Sequence, residues 1–299
     1  MRVFEQGGAR YLMCRPEHFA VNYVINPWMD PQSWARDTRA HAAAVHQWAD
    51  LARKLGELGA TIDLVPAAPG LPDLVFTANA AIVLDRKALL ARFRHPERQR
   101  EEPHFEMAFH ALQARGVIEG VHKLPDGIVL EGAGDCVWDA TRKQFWLGYG
   151  QRSDAAAAQA VSGTFGQAVV PLELADARFY HMDTALSVLP RGEVMYLPEA
   201  FTAAGCAEIC DRIAPSQRIE LDMVDGARLA ANAVCLGNAV IMSDASDRLA
   251  RELAERGYQV VTTPLSAFLR SGGSAFCLTL RLDRRSVLLA PALEQAAVA

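Results

Sequence analysis

Five segments of the chain share one local grammar, and this recurrence restricts the fold more than any other feature. Each has small residues, one polar or reactive residue, an apolar strand-like run and, in most, a charged turn before a second such run. The segments are Thr77-Ala78-Asn79-Ala80-Ala81-Ile82-Val83-Leu84-Asp85-Arg86, Gly132-Ala133-Gly134-Asp135-Cys136-Val137-Trp138, His181-Met182-Asp183-Thr184-Ala185-Leu186, Ala230-Ala231-Asn232-Ala233-Val234-Cys235-Leu236 and Gly273-Ser274-Ala275-Phe276-Cys277-Leu278-Thr279-Leu280. Their polar heads, Asn79, Asp135, Asp183, Asn232 and Cys277, follow one another at intervals of 56, 48, 49 and 45 residues. A period of that size points to stacked or radially arranged supersecondary units, not to two unrelated domains. In a ring of such units all five heads meet at one central pocket.

Helical and β-rich stretches alternate between the heads, as in an α/β protein. Asp30-Pro31 reads as an N-cap and first-turn proline, opening a helix to about Leu55, before Gly56 and Gly59. Further helices are expected over Glu97–Arg115, Ser153–Val161, Glu199–Ile213 and Ala245–Arg256, and strands over Thr61–Val65 and Gln259–Thr263. With a formal net charge of −5 and no dense Lys/Arg stripe, a nucleic-acid partner is not expected. No apolar run approaches the ~20 residues needed to span a bilayer, so neither is a membrane. Met1–Arg10 lacks the charged-then-apolar pattern of a secretory signal. Six cysteines without framework spacing suit a reducing cytosol. The expectation is a cytoplasmic α/β protein acting on a small molecule.

The order and spacing of several short motifs carry a resemblance. Met13-Cys14-Arg15-Pro16, Asp73-Leu74-Val75-Phe76-Thr77-Ala78-Asn79, Glu131-Gly132-Ala133-Gly134-Asp135, Tyr180-His181-Met182-Asp183 and the Gly272-Gly273 turn before Cys277 resemble the guanidine-modifying enzymes of the pentein fold. These are the arginine deiminases, dimethylarginine dimethylaminohydrolases, amidinotransferases and arginine dihydrolases. Val21-Asn22-Tyr23-Val24-Ile25-Asn26-Pro27-Trp28-Met29, together with Thr77-Ala78-Asn79-Ala80, looks most like the dihydrolase branch. The resemblance covers nearly the whole chain. It implies a single catalytic domain over residues 1–299, folded as a five-bladed pseudo-symmetric α/β propeller with a central active site. It also implies no metal, no organic cofactor, and a covalent thiouronium intermediate on a cysteine. Oligomeric state stays open, a homo-oligomer included.

A guanidinium carbon is a poor electrophile because three nitrogens share its charge. Its cleavage needs a soft nucleophile, a proton donor for the departing amine and carboxylates that hold the cation. Cys277, after a glycine-rich turn, is the candidate nucleophile, and its thiolate is the attacking form. Buried structural roles are assigned to Cys14, Cys136, Cys206, Cys210 and Cys235. His181 is the candidate general acid and base. Asp183, two residues on, is expected on the same side of a strand, gripping the guanidinium. Glu131 and Asp135 flank Gly132-Ala133-Gly134, placed to orient the histidine and hold guanidinium nitrogens. No histidine pair has zinc spacing with cysteine or carboxylate partners. By resemblance, Arg98 and Arg152 are candidates to clamp the substrate α-carboxylate, and Asn22 to make a polar contact to substrate.

Asn79 departs from much of the family, where deiminases and dimethylargininases carry an acid at the corresponding position. An amide offers one donor and one neutral acceptor instead of a charge. That favours the dihydrolase branch, which converts arginine to ornithine, carbon dioxide and ammonia. Dimethylarginine hydrolysis and plain deimination, both giving citrulline, come next, then amidino transfer. The same architecture also occurs in a ribosome anti-association factor, a non-catalytic alternative that predicts loss of the Cys/His/acid set present here.

Overall fold

The computed structural model describes residues 8–287. Each expected head is followed by an apolar strand, and the strands assemble into five separate three-stranded sheets. The first contains β1 (Arg10–Cys14), followed by α1 (Pro31–Arg36), α2 (Ala40–Glu57) and β2 (Thr61–Val65). The second contains β3 (Ala81–Leu84) and β4 (Lys87–Leu90), then α3 (Pro96–Gln99), α4 (Glu102–Ala114) and β5 (Gly120–His122). In the third, one-turn α5 (Gly132–Asp135) precedes β6 (Cys136–Asp139), β7 (Gln144–Tyr149), α6 (Ala157–Phe165) and β8 (Ala168–Glu173). In the fourth, one-turn α7 (Met182–Ala185) precedes β9 (Leu186–Val188), β10 (Val194–Tyr196), α8 (Ala203–Arg212) and β11 (Arg218–Glu220). The fifth has α9 (Met223–Gly226), β12 (Val234–Leu236), β13 (Ala239–Met242), α10 (Asp247–Glu255) and β14 (Gln259–Thr262). Short α11 (Ser266–Leu269) then leads to β15 (Leu280–Arg281).

Sheets two to five share one topology: an antiparallel hairpin, a helical crossover, and a third strand parallel to the second. A crossover of this kind is what a parallel pair requires. The first sheet has the same three-strand form, but its inner strand comes from the far end of the sequence. β15 lies antiparallel to β1, with Tyr11 opposite Arg281 and Leu12 opposite Leu280.

Hydrogen bonds between successive heads close the ring. The Asn79 amide donates to Glu131 O (3.1 Å), Met182 N to Asp135 Oδ1 (3.1 Å) and the Asn232 amide to Asp183 O (3.2 Å). Cys277 N then donates to Asn232 Oδ1 (3.1 Å), and Ala78 N to Cys277 O (3.1 Å). Helices cover the outside of the ring through apolar stripes. On α2 the buried residues are Ala40, Ala44, Trp48, Leu51 and Leu55, a single face at helical spacing.

Several element boundaries differ from expectation for local reasons. The long helix opening at Asp30 is two helices. Asp30 caps α1 by accepting from Ser33 N, and Asp37 then turns extended and accepts from Arg39 N (3.1 Å). An aspartate side chain that competes for backbone donors in this way interrupts a helix. The stretch over Glu97–Arg115 is likewise split into α3 and α4, with Pro103 in the first turn of the second. The helix expected from Ser153 begins at Ala157, because Ser153 is bonded into the centre of the ring.

Candidate active site

The heads converge on a nearly dry cluster. Cys277, His181, Glu131, Asp135, Asp183, Asn79, Arg98 and Arg152 are all no more than 3% exposed. Two glycines allow the second head to press against the first. Gly132 has φ +64°, and a Cβ there would stand 2.7 Å from Ala78 O. A Cβ on Gly134 would lie 2.2 Å from Asn79 Nδ2 and 3.6 Å from His181 Nδ1. The Asn79 amide and the His181 ring therefore face each other across a bare stretch of backbone.

Glu131 is the electrostatic anchor. Its Oε2 accepts from His181 Nε2 (2.8 Å) and Arg152 Nη1 (3.0 Å), and its Oε1 from Arg94 N (3.1 Å). Burial alone would raise its pKa, but Arg152 and His181 hold it well below the usual carboxylate range. An ionised Glu131 fixes the ring proton on Nε2 and leaves Nδ1 as the free base. That Nδ1 is buried and has no hydrogen-bond partner among the described residues. Burial pushes the imidazole pKa down to about 4, against the pull of Glu131.

The thiol has a different set of neighbours. Cys277 Sγ donates to Asp183 Oδ2 (3.2 Å) and accepts from Asn232 Nδ2 (3.0 Å). Burial, and then Asp183, push its pKa well above the ordinary thiol value. Burial also pushes Asp183 up to about 7, and its second oxygen, Oδ1, is buried without a partner. Asp135 is raised by burial despite bonds from Ser153 Oγ (2.5 Å) and Met182 N.

His181 and Asp183 were expected side by side on a strand, and the structure corrects this. His181 is the extended N-cap of α7 and Asp183 lies in its first turn. A strand would aim residues i and i+2 alike. The helical turn instead sends one side chain to Glu131 and the other to Cys277.

The arginines are buried, not surface residues. Arg98 pairs with Glu101 through Nε (3.0 Å) and Nη2 (2.8 Å), and also donates to Asn79 Oδ1 (2.9 Å) and Asp73 O (3.2 Å). Of the five N–H groups of a guanidinium, one is left for a ligand. Arg152 is less committed: it bonds Glu131 and Ile25 O (3.0 Å) and lies 4.6 Å from the Tyr180 ring centroid. Asn22 is exposed, on a strap over residues 15–30 that crosses the centre. From that strap it is Tyr23 that reaches inward, donating to Asp73 Oδ2 (2.8 Å), while Asn26 donates to Ser271 O and Trp28 Nε1 to Arg178 O.

Asp73, Tyr23, Glu101 and Ser153 belong to the cluster although sequence reasoning gave them no role, and Asn232, expected there as a head, was given no chemical part. Asp73 and Asn232 each lie within a motif that was singled out. Glu101 and Ser153 carry no motif signal, because they reach the centre through loops between elements. Among the described residues no group of His, Cys, Asp or Glu is arranged to hold a metal ion, and no helix is long and apolar enough to cross a membrane.

Five three-stranded sheets in a closed ring, with a buried thiol, carboxylates and a Glu–His pair at the hub, define the chain as a pentein-fold protein. The family model for eukaryotic N,N-dimethylarginine dimethylhydrolase matches residues 15–284, and the chain belongs to that family. It is 42% identical over 273 residues to the bifunctional arginine dihydrolase/ornithine cyclodeaminase ArgZ of Synechocystis, covering 91% of this chain and 37% of ArgZ. It is 36% identical to the N(G),N(G)-dimethylarginine dimethylaminohydrolase of Mycobacterium tuberculosis, covering 91% of this chain and 85% of that protein. The chain thus spans less than two-fifths of the bifunctional relatives. The crystal structure of the N-terminal domain of ArgZ, an arginine dihydrolase, with substrate bound matches with TM-score 0.87 at 40% identity, over 93% of this chain and all of that one.

Proposed function

We propose that the chain, acting as one catalytic unit, hydrolyses free arginine twice, to ornithine, carbon dioxide and two ammonia, through a covalent bond between Cys277 and the guanidinium carbon. The arginine dihydrolases among the relatives support the substrate class. The observation that carries the double hydrolysis is the locked amide of Asn79. Arg98 can only donate, so the Asn79 oxygen must face it, and Nδ2 is turned to the other side. One Nδ2 hydrogen serves Glu131 O, which leaves the second for a ligand.

Arginine enters as a planar cation, and the unpaired Asp183 Oδ1 suits one of its nitrogens. The cation returns Asp183 to its ionised form. Cys277 gives its proton to His181 Nδ1 while sulfur bonds to the guanidinium carbon. His181 passes that proton to the departing nitrogen, which leaves as ammonia. A water molecule then yields a proton to Nδ1 as its oxygen bonds to the carbon. The C–S bond breaks and His181 returns its proton to sulfur. The carbon-bound hydroxyl loses the remaining proton (the one the guanidinium carried) to the released ammonia, and a neutral ureido product remains. Another carboxylate would repel that ureido oxygen, whereas the free Asn79 N–H holds it for a second attack by Cys277. The second hydrolysis leaves a carbamate on the side-chain nitrogen, which loses carbon dioxide to give ornithine. At the far end of the substrate, Arg152, with uncommitted N–H groups, suits the α-carboxylate and Asp73 the α-ammonium. Arg98 adds its one remaining N–H. The six cysteines are all free, which supports a reducing, cytoplasmic location.

The family model and the Mycobacterium relative favour a second reading, hydrolysis of dimethylarginine to citrulline. Incubation with arginine, methylated arginines and citrulline, with products identified by mass spectrometry, separates the two. Two ammonia and one ornithine per arginine are expected, with Asn79→Asp shifting the product toward citrulline while arginine is still consumed. Cys277→Ser should keep the fold and lose most turnover and the amidino adduct. A wild-type chain that stops at citrulline overturns the double hydrolysis.

A further inference from the structure

Three of the five heads, Asn79, Asp183 and Cys277, have roles in the mechanism above, and Asp135 is taken up by Ser153 and Met182 N; the fourth head, Asn232, has no role there. Its side chain is fully buried and makes three bonds, all within the catalytic cluster: Nδ2 to Cys277 Sγ (3.0 Å), Nδ2 to Asp183 O (3.2 Å) and Oδ1 from Cys277 N (3.1 Å). An amide with both hydrogens and its oxygen engaged cannot flip. The same amide that fixes the backbone of Cys277 through its oxygen also aims an N–H at its sulfur.

We propose that Asn232 is a catalytic residue, the donor that holds the Cys277 sulfur in its anionic form. The proposal rests on the assignment of Cys277 as nucleophile. The two hydrogen bonds of the sulfur respond in opposite ways to loss of its proton. In the neutral thiol, Sγ–H donates to Asp183 Oδ2 and a sulfur lone pair accepts from Asn232. When the proton leaves, the first bond disappears, and a carboxylate 3.2 Å away faces an anion. The second bond becomes charge-assisted and strengthens. The titratable groups around the thiol do not stabilise its anion: Asp183 raises its pKa, Tyr180 is a buried phenol with only a neutral or an anionic form, and His181, the proton acceptor of the proposed mechanism, is neutral until that transfer. Besides Asn232, the backbone of Ser274 favours the anion, and both are fixed dipoles that need no reorganisation as charge develops on sulfur. The substrate cation then completes a site whose donors are already in place.

The test is an ultraviolet titration of thiolate absorbance, taken as the difference between each chain and its Cys277→Ser counterpart, which removes the other five thiols from the signal. A hydrogen bond to a charged group is worth enough to move a pKa by about one to two units. Asn232→Ala should therefore raise the Cys277 titration by about that much and lower kcat/KM about 10- to 100-fold at neutral pH. Asn232→Ser, whose short hydroxyl keeps a polar group in the buried head but does not span the gap, carries the same expectation should the alanine variant not fold. A folded variant with an unmoved thiol titration overturns the proposal, even if turnover drops, because a purely structural Asn232 would affect rate alone. Absence of any guanidino hydrolysis by the wild type sinks the functional reading instead. The titration needs no substrate and decides the hydrogen bond in either case.

Discussion

His181 and Asp183, two residues apart, are shifted in opposite directions by one cause. Burial disfavours charge on both, taking the imidazole down to about 4 and the carboxyl up to about 7. The histidine is then neutral at physiological pH, and in the proposed mechanism it acts first as a base at Nδ1, so the proton it later gives the leaving amine comes from the thiol. Asp183 has the opposite requirement, since it must be ionised to hold a cation. These two needs separate in a pH profile. Below about pH 7 the free protein protonates Asp183, so kcat/KM should fall about tenfold per unit through a rise in KM. Once the cation is bound Asp183 stays ionised, and kcat should hold until the imidazole titrates nearer pH 4. Steady-state kinetics from pH 4.5 to 8 measure both, and parallel loss of kcat and kcat/KM from pH 7 downward would contradict the assignment. His181→Ala should cost about 10²- to 10⁴-fold in kcat.

At the level of elements, the short turns matter more than the long helices. α5 and α7 are single turns, yet they set the distance between heads, and Gly134 lets α5 touch Asn79. Gly134→Ala should cost about 1–3 kcal/mol, because its Cβ meets the Asn79 amide and the heads must part. Gly163, inside α6, has open space around the same added atom, and Gly163→Ala should stabilise by about 0.5–1 kcal/mol. Denaturant unfolding of the two variants checks both signs. This scale also marks how far the sequence could be read. The heads were legible because each combines a polar residue with small neighbours and an apolar run, a pattern that backbone packing around a centre demands. Strands Thr61–Val65 and Gln259–Thr262 were legible from β-branched runs, the former to the residue. The interruption at Asp37 was not, since a side chain capping its own turn overrides propensity without disturbing periodicity, and the one before Glu102 has no side-chain cap to mark it. Glu101 was hidden for a related reason: in sequence it sits in a charged run, and only the fold shows that it is fully buried against Arg98.

The whole molecule gathers buried charge of unequal sign at its axis. Asp73, Glu101, Glu131, Asp135 and Asp183 surround Arg98 and Arg152, all nearly inaccessible to solvent. Full ionisation would leave excess negative charge in a dry hub, and burial instead pushes Glu101 and Asp183 up to about 7 and raises Asp73 and Asp135. These acids bind protons more tightly folded than unfolded. For Glu101 and Asp183 the stabilising contribution is complete below about pH 4 and is lost as pH rises through about 7; Asp73 and Asp135 act in the same direction. The buried His181 works the other way, its folded pKa lying below the unfolded value, so its contribution is lost as pH falls from about 6.5 through 4. Between pH 6.5 and 8 the loss from Glu101 and Asp183 outweighs the small remaining gain from His181, and the empty protein should become less stable by about 1–2 kcal/mol. A bound guanidinium supplies the missing positive charge, so its stabilising effect should grow over the same interval. At 100-fold excess over Kd a ligand adds about 2.7 kcal/mol, and a tenfold weaker Kd for each pH unit below 7 removes about 1.4 kcal/mol. Thermal unfolding of Cys277→Ser with and without arginine, which avoids turnover, should therefore show a larger upward shift in Tm at pH 8 than at pH 6. An equal shift at both would mean that the carboxylates of the hub are already ionised before the cation arrives, and that the ring binds its substrate without taking up its charge.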